Sequence, residues 1–248
     1  MMSCLPAWPY SPYIAHRNGG HLAPENTLAA MRVGAAHGFT MFEFDVKLSR
    51  DGIAFLLHDD TLDRCTDGRG PAGALDFGQI AQLDAGSWHS AGFAGEPPPS
   101  FAAIARFARA NDLACNVEIK PCPGQEAETG AAVAQLCAHF WQDAAVPPLL
   151  SSFQESALAE ARRVAPHIPR ALLVDAIPAD WAQRLAALEA VALNINHRDA
   201  SAERVQAIHA AGYRVAAWTI NEPGRARELL ALGVDAIFTD NLAEIRPA

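Results

Sequence analysis

The sequence lacks the features that mark exported, membrane-bound and disulfide-rich proteins. No stretch reaches the roughly 18 apolar residues that span a bilayer, and the N-terminal segment has no basic start followed by an uninterrupted apolar run. The five cysteines, Cys4, Cys65, Cys115, Cys122 and Cys137, form neither a CxxC pair nor an even framework, so neither a structural zinc site nor a disulfide scaffold is indicated. These absences predict a soluble cytoplasmic protein with reduced thiols and no membrane insertion.

Concentrated positive charge is also missing. The net charge is −9, and the arginines are scattered over helix-like segments instead of forming a stripe. Nucleic-acid backbones are bound mainly by clustered Lys and Arg, so we expect no nucleic-acid partner. A small phosphate-bearing substrate is compatible with this composition, because it needs only one or two local cations and a metal. The sequence leaves the oligomeric state open.

Strand-like and helix-like patterns alternate along most of the 248 residues. About eight strand-like segments, from Ile14 to Ala236, are separated by helices, and eight strands close a (β/α)₈ barrel. An open doubly wound sheet is the alternative. No GxGxxG dinucleotide pattern follows the first strand, and helix-Gly-strand units recur with short loops in the second half. We therefore predict an α/β fold of the TIM-barrel type.

One stretch departs from this alternation. Residues 59–100 spread glycines, prolines and Trp88 among short apolar runs without a long helical period. We interpret residues 1–248 as a single domain in which residues 59–100 form a small subdomain inserted after the second barrel strand.

The segment MFEFDVK at residues 41–47 places two carboxylates within an otherwise apolar strand. Side chains alternate between the two faces of a strand, so Glu43 and Asp45 share one face while Phe42, Phe44 and Val46 share the other. Like charges on one buried face require a bound cation or a raised pKa. The alternative is a strand end at which both acids point into solvent.

Other ionisable residues fall where strands are predicted to end, which is where a TIM barrel carries its chemistry. The first strand ends in His16 and Arg17, and the extended segment after residue 53 ends in His58. On the third strand, Glu118 and Lys120 repeat the two-residue spacing and face the barrel axis. One pocket is therefore expected to receive three carboxylates, two histidines, an arginine and a lysine.

The three carboxylates, Glu43, Asp45 and Glu118, offer only oxygen ligands. Such ligands favour Mg²⁺ or Ca²⁺ over zinc, whose sites usually include His or Cys. The sequence therefore predicts a site for a hard divalent cation.

The two cationic side chains and the two histidines suggest roles in phosphate binding and in acid-base catalysis. Arg17 and Lys120 can neutralise the non-bridging oxygens of a phosphate. His16 and His58 can serve as a base and acid pair at neutral pH. With a metal, this set describes metal-assisted attack on a phosphodiester, although spacing alone leaves open that either histidine is a metal ligand.

Three further residues are candidates for the walls of the pocket, and their positions are less diagnostic of a site than those of the ionisable residues. Phe153 and Trp218 lie at predicted strand ends, where aromatic residues belong to the core about as often as to a pocket. Asn194 and Asn196 alternate onto one face of the sixth strand, and we expect one of them, Asn196, to reach the pocket.

Several motifs together resemble those of the glycerophosphodiester phosphodiesterase family. Residues 16–70 read HRNGGHLAPENTLAAMRVGAAHGFTMFEFDVKLSRDGIAFLLHDDTLDRCTDGRG, and residues 116–121 read NVEIKP. Shorter similarities are DAGSW at residues 84–88, LLSSF at 149–153 and the closing GVDAIFTD. The resemblance extends over nearly the whole chain and is strongest to the family's cytosolic bacterial members associated with glycerol-phosphate uptake.

The resemblance implies a TIM barrel with an inserted subdomain after the second strand. It also implies metal-dependent hydrolysis of small glycerophosphodiesters to sn-glycerol 3-phosphate and an alcohol, in which the glycerol 2-hydroxyl attacks phosphorus and water then opens a cyclic phosphate. Carried over by position, the implied roles are general acid/base catalysis for His16 and His58, metal binding for Glu43, Asp45 and Glu118, and phosphate binding for Arg17 and Lys120.

One position departs from the family pattern. A glycine usually follows the His-Arg pair, whereas this chain has Asn18. Asparagine tolerates a left-handed backbone, so we expect the loop to keep its path while the side chain narrows the pocket mouth or contacts substrate.

Two other functions compete with this reading. One is a phospholipase of the phosphatidylinositol-cleaving or sphingomyelinase D type, which would favour export and an apolar or basic rim. The other is a catalytically silent barrel that binds phosphodiesters, since the presence of residues does not prove their geometry.

Overall fold

In the computed structural model, which describes residues 5–247, nine strands form one sheet and eight of them close into a parallel barrel. The strands are β1 (Tyr13–Ala15), β2 (Met41–Leu48), β3 (Ala54–Leu56), β4 (Ala114–Ile119), β5 (Leu149–Ser152), β6 (Arg170–Val174), β7 (Ala192–Asn196), β8 (Arg214–Trp218) and β9 (Ala236–Thr239). Neighbours around the barrel run β1, β2, β4, β5, β6, β7, β8 and β9, and β9 pairs with β1 to close it. Strand β3 lies outside the barrel as the antiparallel partner of β2.

Helices follow the barrel strands. They are α1 (Leu28–Ala36), α2 (Phe77–Ile80), α3 (Phe101–Ala110), α4 (Glu126–Phe140), α5 (Glu155–Val164), α6 (Trp181–Leu188), α7 (Ala202–Ala210) and α8 (Pro223–Ala231). This alternation of parallel strands and helices confirms the predicted TIM barrel. Within the described part of the chain, no helix is both long and apolar enough to cross a membrane.

The alternation of side chains along each strand divides the apolar core into two layers. Phe42, Phe44 and Val46 point outward from β2 into the large core between barrel and helices. Met41 and Leu149, the first residues of β2 and β5, point inward and belong to a smaller cluster inside the barrel. Inward positions nearer the carboxyl ends of the strands are free for polar side chains.

The chain between β3 and α3 forms short turns above the barrel mouth. It contains α2 and two 3₁₀ turns, Ala72–Ala74 and Ala91–Phe93. Its apolar residues pack in a separate cluster with Phe55 and Cys122. At its end, the carboxylate of Glu96 accepts a hydrogen bond from the backbone N–H of Ala29 in the first turn of α1, at 3.0 Å. The segment is thereby tied to the first turn of α1.

The cysteines inside the described range are unpaired. Cys65, Cys115, Cys122 and Cys137 are free and buried. Cys4 lies outside the described residues.

Candidate active site

A cavity of about 390 Å³ opens at the carboxyl ends of the barrel strands. Its lining includes six of the ionisable residues singled out from the sequence: His16, Arg17, Glu43, His58, Glu118 and Lys120. Asp45 is the seventh and lies buried beneath them, with 1% of its surface exposed. The chemistry-bearing residues therefore come together at the end of the barrel where they were expected.

The three carboxylates meet because of strand register. Asp45 on β2 stands directly opposite Glu118 on β4, and Glu43 lies two residues earlier on the same face as Asp45. One oxygen from each of the three lies within 4.8 Å of the others, and all three residues are buried. Hard divalent cations favour such an all-oxygen set.

Glu43 shows the electrostatic strain of this arrangement. Its Oε2 accepts the backbone N–H of Arg17 at 2.9 Å, whereas its Oε1 is buried without a hydrogen-bond partner among the described residues. Burial and the nearby Asp45 raise the pKa of Glu43, and the same two causes raise the pKa of Glu118. An unpaired carboxylate oxygen between two further acids fits a bound cation.

Asp45 is held differently from its two neighbours. The side chain of Asn26 donates from Nδ2 to Oδ2 of Asp45 at 2.8 Å and accepts the backbone N–H of Asp45 at 3.0 Å. Burial opposes ionisation, but the charges of His58, Arg17 and Lys120 lower the pKa of Asp45 to about 2. Asp45 therefore remains a carboxylate while its neighbours are pushed towards protonation.

The two cations lie on either side of Asp45. Nε of Arg17 is 3.9 Å from its Oδ2, and Nζ of Lys120 is 3.9 Å from its Oδ1. Lys120 also donates to Oε1 of Glu118 at 2.8 Å, and its ammonium lies 5.3 Å from the ring centroid of Phe153. A phosphate above the acids would thus have a positive group at each side.

His16 belongs to a charged pair that the sequence analysis missed. Its Nδ1 lies 2.6 Å from Oδ1 of Asp240, the residue that follows β9, and its Nε2 lies 3.8 Å from Glu43. An ionised carboxylate only accepts, so we assign the Nδ1 proton to His16. Burial lowers the pKa of His16, but the hydrogen bond to Asp240 and the charge of Glu43 outweigh it and raise the pKa.

His58 has a similar contact but an opposite balance. Its Nδ1 lies 2.7 Å from Oδ1 of the adjacent Asp59. Burial, together with the positive charges of Arg17 and Lys120, lowers the pKa of His58. The two histidines thus differ in the direction of their pKa shifts.

Aromatic residues form one wall of the cavity. Phe153 and Trp218 both line it, and their rings meet edge to face with centroids 5.5 Å apart. Leu173 and Phe238 extend this apolar side. The carbon atoms of a bound molecule would find an apolar surface there.

Two asparagine side chains lie away from the cavity. Asn196 is not among the described residues that line the cavity, because its Oδ1 turns back to accept the backbone N–H of Arg198 at 3.1 Å. Asn18 has the expected left-handed backbone, with φ of 73°. Its side chain, however, is fully buried and donates to the carbonyl of Thr27 at 3.4 Å, so it neither narrows the mouth nor lines the cavity.

Residues that orient the site were mostly missed. Four of them, Glu25, Asn26, Asp59 and Asp240, contact the predicted residues directly. Asp240 follows the end of the last strand, so the strand-end rule could have found it. Asn116, which lines the cavity and donates to Oγ of Ser151 at 2.8 Å, lies two residues before Glu118 on the same face of β4.

Comparisons with known proteins identify relatives of this arrangement. The sequence profile described as the glycerophosphoryl diester phosphodiesterase family matches residues 16–244. A glycerophosphodiester phosphodiesterase of Caldanaerobacter subterraneus subsp. tengcongensis is 30% identical over 233 residues, which cover 92% of this chain and 93% of that protein.

Two solved structures have the same fold. A phosphodiesterase of Oleispira antarctica, in complex with the product sn-glycerol-3-phosphate, superimposes with a TM-score of 0.88 at 38% identity, covering 94% of each chain. A glycerophosphodiester phosphodiesterase of Agrobacterium tumefaciens superimposes with a TM-score of 0.78 at 27% identity, covering 94% of this chain and 98% of that one.

Proposed function

The chain belongs to the glycerophosphoryl diester phosphodiesterase family, and we propose that this phosphodiesterase uses a divalent metal and two histidines to release sn-glycerol 3-phosphate and an alcohol. The observation that carries the proposal is the buried carboxylate triad of Glu43, Asp45 and Glu118 at a cavity that both histidines, His16 and His58, line. The solved relative that holds sn-glycerol-3-phosphate supports the choice of product.

Glu43, Asp45 and Glu118 would hold the metal. The unpaired Oε1 of Glu43 and the three converging oxygens support this assignment. We propose Mg²⁺ or Ca²⁺, because both prefer carboxylate oxygens. When bound, such a cation would neutralise the acids and polarise a phosphoryl oxygen.

Arg17 and Lys120 would hold the remaining phosphate oxygens. Their positions on opposite sides of Asp45 keep the phosphodiester centred above the acids. The guanidinium can bind two oxygens at once, whereas the ammonium acts as a point charge. In this arrangement phosphorus would lie within reach of both histidines, which line the same cavity.

We assign His58 as the first base and His16 as the first acid. Asp59 holds the Nδ1 proton of His58, so its Nε2 would take the proton of the glycerol 2-hydroxyl as that oxygen attacks phosphorus, and the lowered pKa of His58 agrees with this role. His16 is paired through Nδ1 with Asp240, a hydrogen bond that raises its pKa, and its Nε2 would give a proton to the departing alcohol oxygen. The 2-hydroxyl is already close to phosphorus, so a cyclic phosphate forms. His16 then takes a proton from water as it opens the ring, and His58 returns its proton to the 2-oxygen.

Chelation tests the metal assignment. Protein in excess EDTA should release no glycerol 3-phosphate from glycerophosphocholine, and added Mg²⁺ or Ca²⁺ should restore release. Full activity in EDTA, with no metal detected by elemental analysis, would reject the assignment. Intact phosphatidylinositol and sphingomyelin serve as parallel substrates, and their preferred cleavage would favour the phospholipase alternative. The silent barrel predicts no cleavage of any substrate.

We also propose that residues 1–248 form one domain with residues 59–100 as an inserted subdomain, and that the protein is cytoplasmic. The separate apolar cluster around Phe55 and Cys122 supports the inserted unit. Four free, buried cysteines suit a reducing compartment. A single cooperative unfolding transition would support one domain, and cell fractionation tests the location.

A further inference from the structure

The guanidinium of Arg64 connects two carboxylates that lie on different segments. Its Nε and Nη2 donate to the two oxygens of Asp59 at 2.7 and 2.8 Å. Its Nη1 and Nη2 donate to the two oxygens of Glu25 at 2.7 and 2.8 Å. Arg64 therefore makes a two-pronged contact along each of two edges, a geometry that only a guanidinium provides among side chains.

Each of these carboxylates holds a residue of the candidate site. Oε1 of Glu25 accepts Nη1 of Arg17 at 2.9 Å. Oδ1 of Asp59 accepts Nδ1 of His58 at 2.7 Å. A continuous chain of contacts thus runs from the phosphate-binding arginine, through Arg64, to the imidazole proposed as base.

The backbone beside Arg64 is anchored by packing. Leu62 and Cys65 on either side of it are buried in the apolar cluster that contains Phe55. The hydroxyl of Thr66 donates to the carbonyl of Leu62 at 2.7 Å and closes this turn. The side chain of Arg64 is 44% exposed, so solvent screens its charge, and its fixed geometry is its main contribution.

We propose that Arg64 is a positioning residue. Through Glu25 and Asp59, it holds the guanidinium of Arg17 and the imidazole of His58 in a fixed position relative to each other. It is not among the described residues that line the cavity, so it acts through its neighbours. Asp59, held in place by Arg64, keeps the proton of His58 on Nδ1 and leaves Nε2 facing substrate. The inference rests on the proposed roles of His58 and Arg17.

Replacement of Arg64 removes its hydrogen bonds to both Glu25 and Asp59, so Arg17 and His58 become less constrained together. In Arg64→Gln we expect kcat to fall by about 10-fold to 100-fold, because small misplacements of catalytic groups cost that much. KM for glycerophosphocholine should rise several-fold as Arg17 loosens. Arg64→Lys keeps the charge but cannot hold both carboxylates in one plane, so it should recover only part of the activity.

Arg69→Gln is the matched control. Arg69 lies in the same segment, carries the same charge and is 72% exposed, so kcat and KM should stay unchanged. Melting temperatures of all variants are measured, and assays are run well below them. If Arg64→Lys or Arg64→Gln remains folded with normal kcat and KM, the proposal is overturned.

A double-mutant cycle tests the link itself. Glu25→Gln and Asp59→Asn should have non-additive effects on kcat/KM when Arg64 is present and additive effects when it is replaced by Gln. Additive effects in both backgrounds would mean that Arg64 does not couple Glu25 to Asp59.

Two readouts separate this inference from the proposed chemistry. The ¹⁵N shifts of His58, assigned with a His58→Gln variant, should show the Nδ1–H tautomer in the wild type and a mixture in Arg64→Gln. Calorimetry with sn-glycerol 3-phosphate should show weaker binding in Arg64→Gln. Unchanged tautomer and affinity would overturn the role of Arg64. Normal turnover in His58→Ala would instead reject the base assignment and leave the positioning result standing.

Discussion

Nδ1 of His16 lies 2.6 Å from Oδ1 of Asp240, so one charged pair joins the ends of the first and last barrel strands. Both side chains are less than one-fifth exposed. Nδ2 of Asn221 donates to the other oxygen of Asp240 at 3.0 Å and fixes the carboxylate. The contact thus helps to close the barrel and turns Nε2 of His16 towards Glu43.

The pair predicts a window of pH in which it stabilises the fold. Burial opposes the charge of Asp240, but the hydrogen bond from His16 lowers its pKa to about 2, so its contribution is lost as the pH falls through that value. The pKa of His16 is raised, so its contribution is complete below its unfolded value of about 6.5 and is lost as the pH rises through the folded value. The pair should stabilise most between about pH 4 and 6.5.

Urea unfolding of metal-free wild type and Asp240→Asn measures this effect. The variant should be less stable by about 2 kcal/mol within the window, and the difference should shrink at lower and higher pH. Asp143→Asn, at an exposed position, is the control and should show little change. A difference that stays constant from pH 3 to 8 would contradict the assignment.

The two histidines should differ in their effect on pH profiles. His16→Ala and His58→Ala should each reduce kcat by about 10² or more, because general acid and base contributions have that size. His16→Ala should remove the alkaline limb of the kcat/KM profile, since the acid must be protonated. His58→Ala should remove the acidic limb, since the base must be neutral. Stopped assays of glycerol 3-phosphate release across pH 5 to 9 check both, and an exchange of the two limbs would reverse the roles.

The TIM-barrel fold and the ionisable residues at its carboxyl end could be predicted from the sequence. Two-residue spacing predicts that Glu43 and Asp45 share a face, and the position of active sites at the carboxyl ends of TIM-barrel strands adds Glu118 from a neighbouring strand. Pairing between particular side chains left no such signal. The strand-end rule could have found Asp240, but its contact with His16, 224 residues away, depends on β9 returning to β1.

The directions of loop side chains could not be predicted from the sequence either. Asn196 sits at a strand end as expected, yet a local hydrogen bond to the following turn directs its side chain away from the cavity. Asn26 adopts a left-handed backbone with φ of 59°, and its side-chain amide donates to Asp45, while the next residue, Thr27, caps α1. Such choices depend on one or two dihedral angles that residue patterns do not specify.

Glu43→Gln should separate stability from metal binding. The amide keeps an acceptor for the backbone N–H of Arg17 but removes a carboxyl group whose pKa is raised to about 8 by burial and by Asp45. We expect the metal-free variant to be more stable than wild type by about 1 kcal/mol or more at neutral pH, because the wild type must either bury this charge or take up a proton when it folds. Its affinity for Mg²⁺ or Ca²⁺ should fall by about 10² or more, in line with the loss of one charged ligand.

Urea unfolding in EDTA and calorimetric metal titration measure the two quantities. Asp143→Asn again serves as the control for removal of a surface charge. A metal-free Glu43→Gln protein that is less stable than wild type, with unchanged metal affinity, would mean that the three acids do not share a cation.

Gly20 controls the approach of the first loop to Asp240. It has φ of 51°, and a Cβ there would collide with the backbone carbonyl of Asp240. Gly20→Ala therefore has to move the backbone of Asp240, which loosens the hydrogen bond to His16. We expect a loss of about 3 kcal/mol or more in unfolding free energy, since positive φ alone costs about 1 kcal/mol and the clash adds to it. Turnover should also fall as His16 loses its partner.

Gly38→Ala is the matched control for this substitution. Gly38 has φ of 85°, but a methyl group added there would meet no atom within 4 Å, so only the backbone strain changes. It should lose about 1 kcal/mol and keep normal turnover, because it lies at the end of α1, away from the cavity. The difference between the two variants isolates the contact with Asp240. Equal losses of stability in both, with full activity in Gly20→Ala, would show that the loop accommodates a methyl group without disturbing His16.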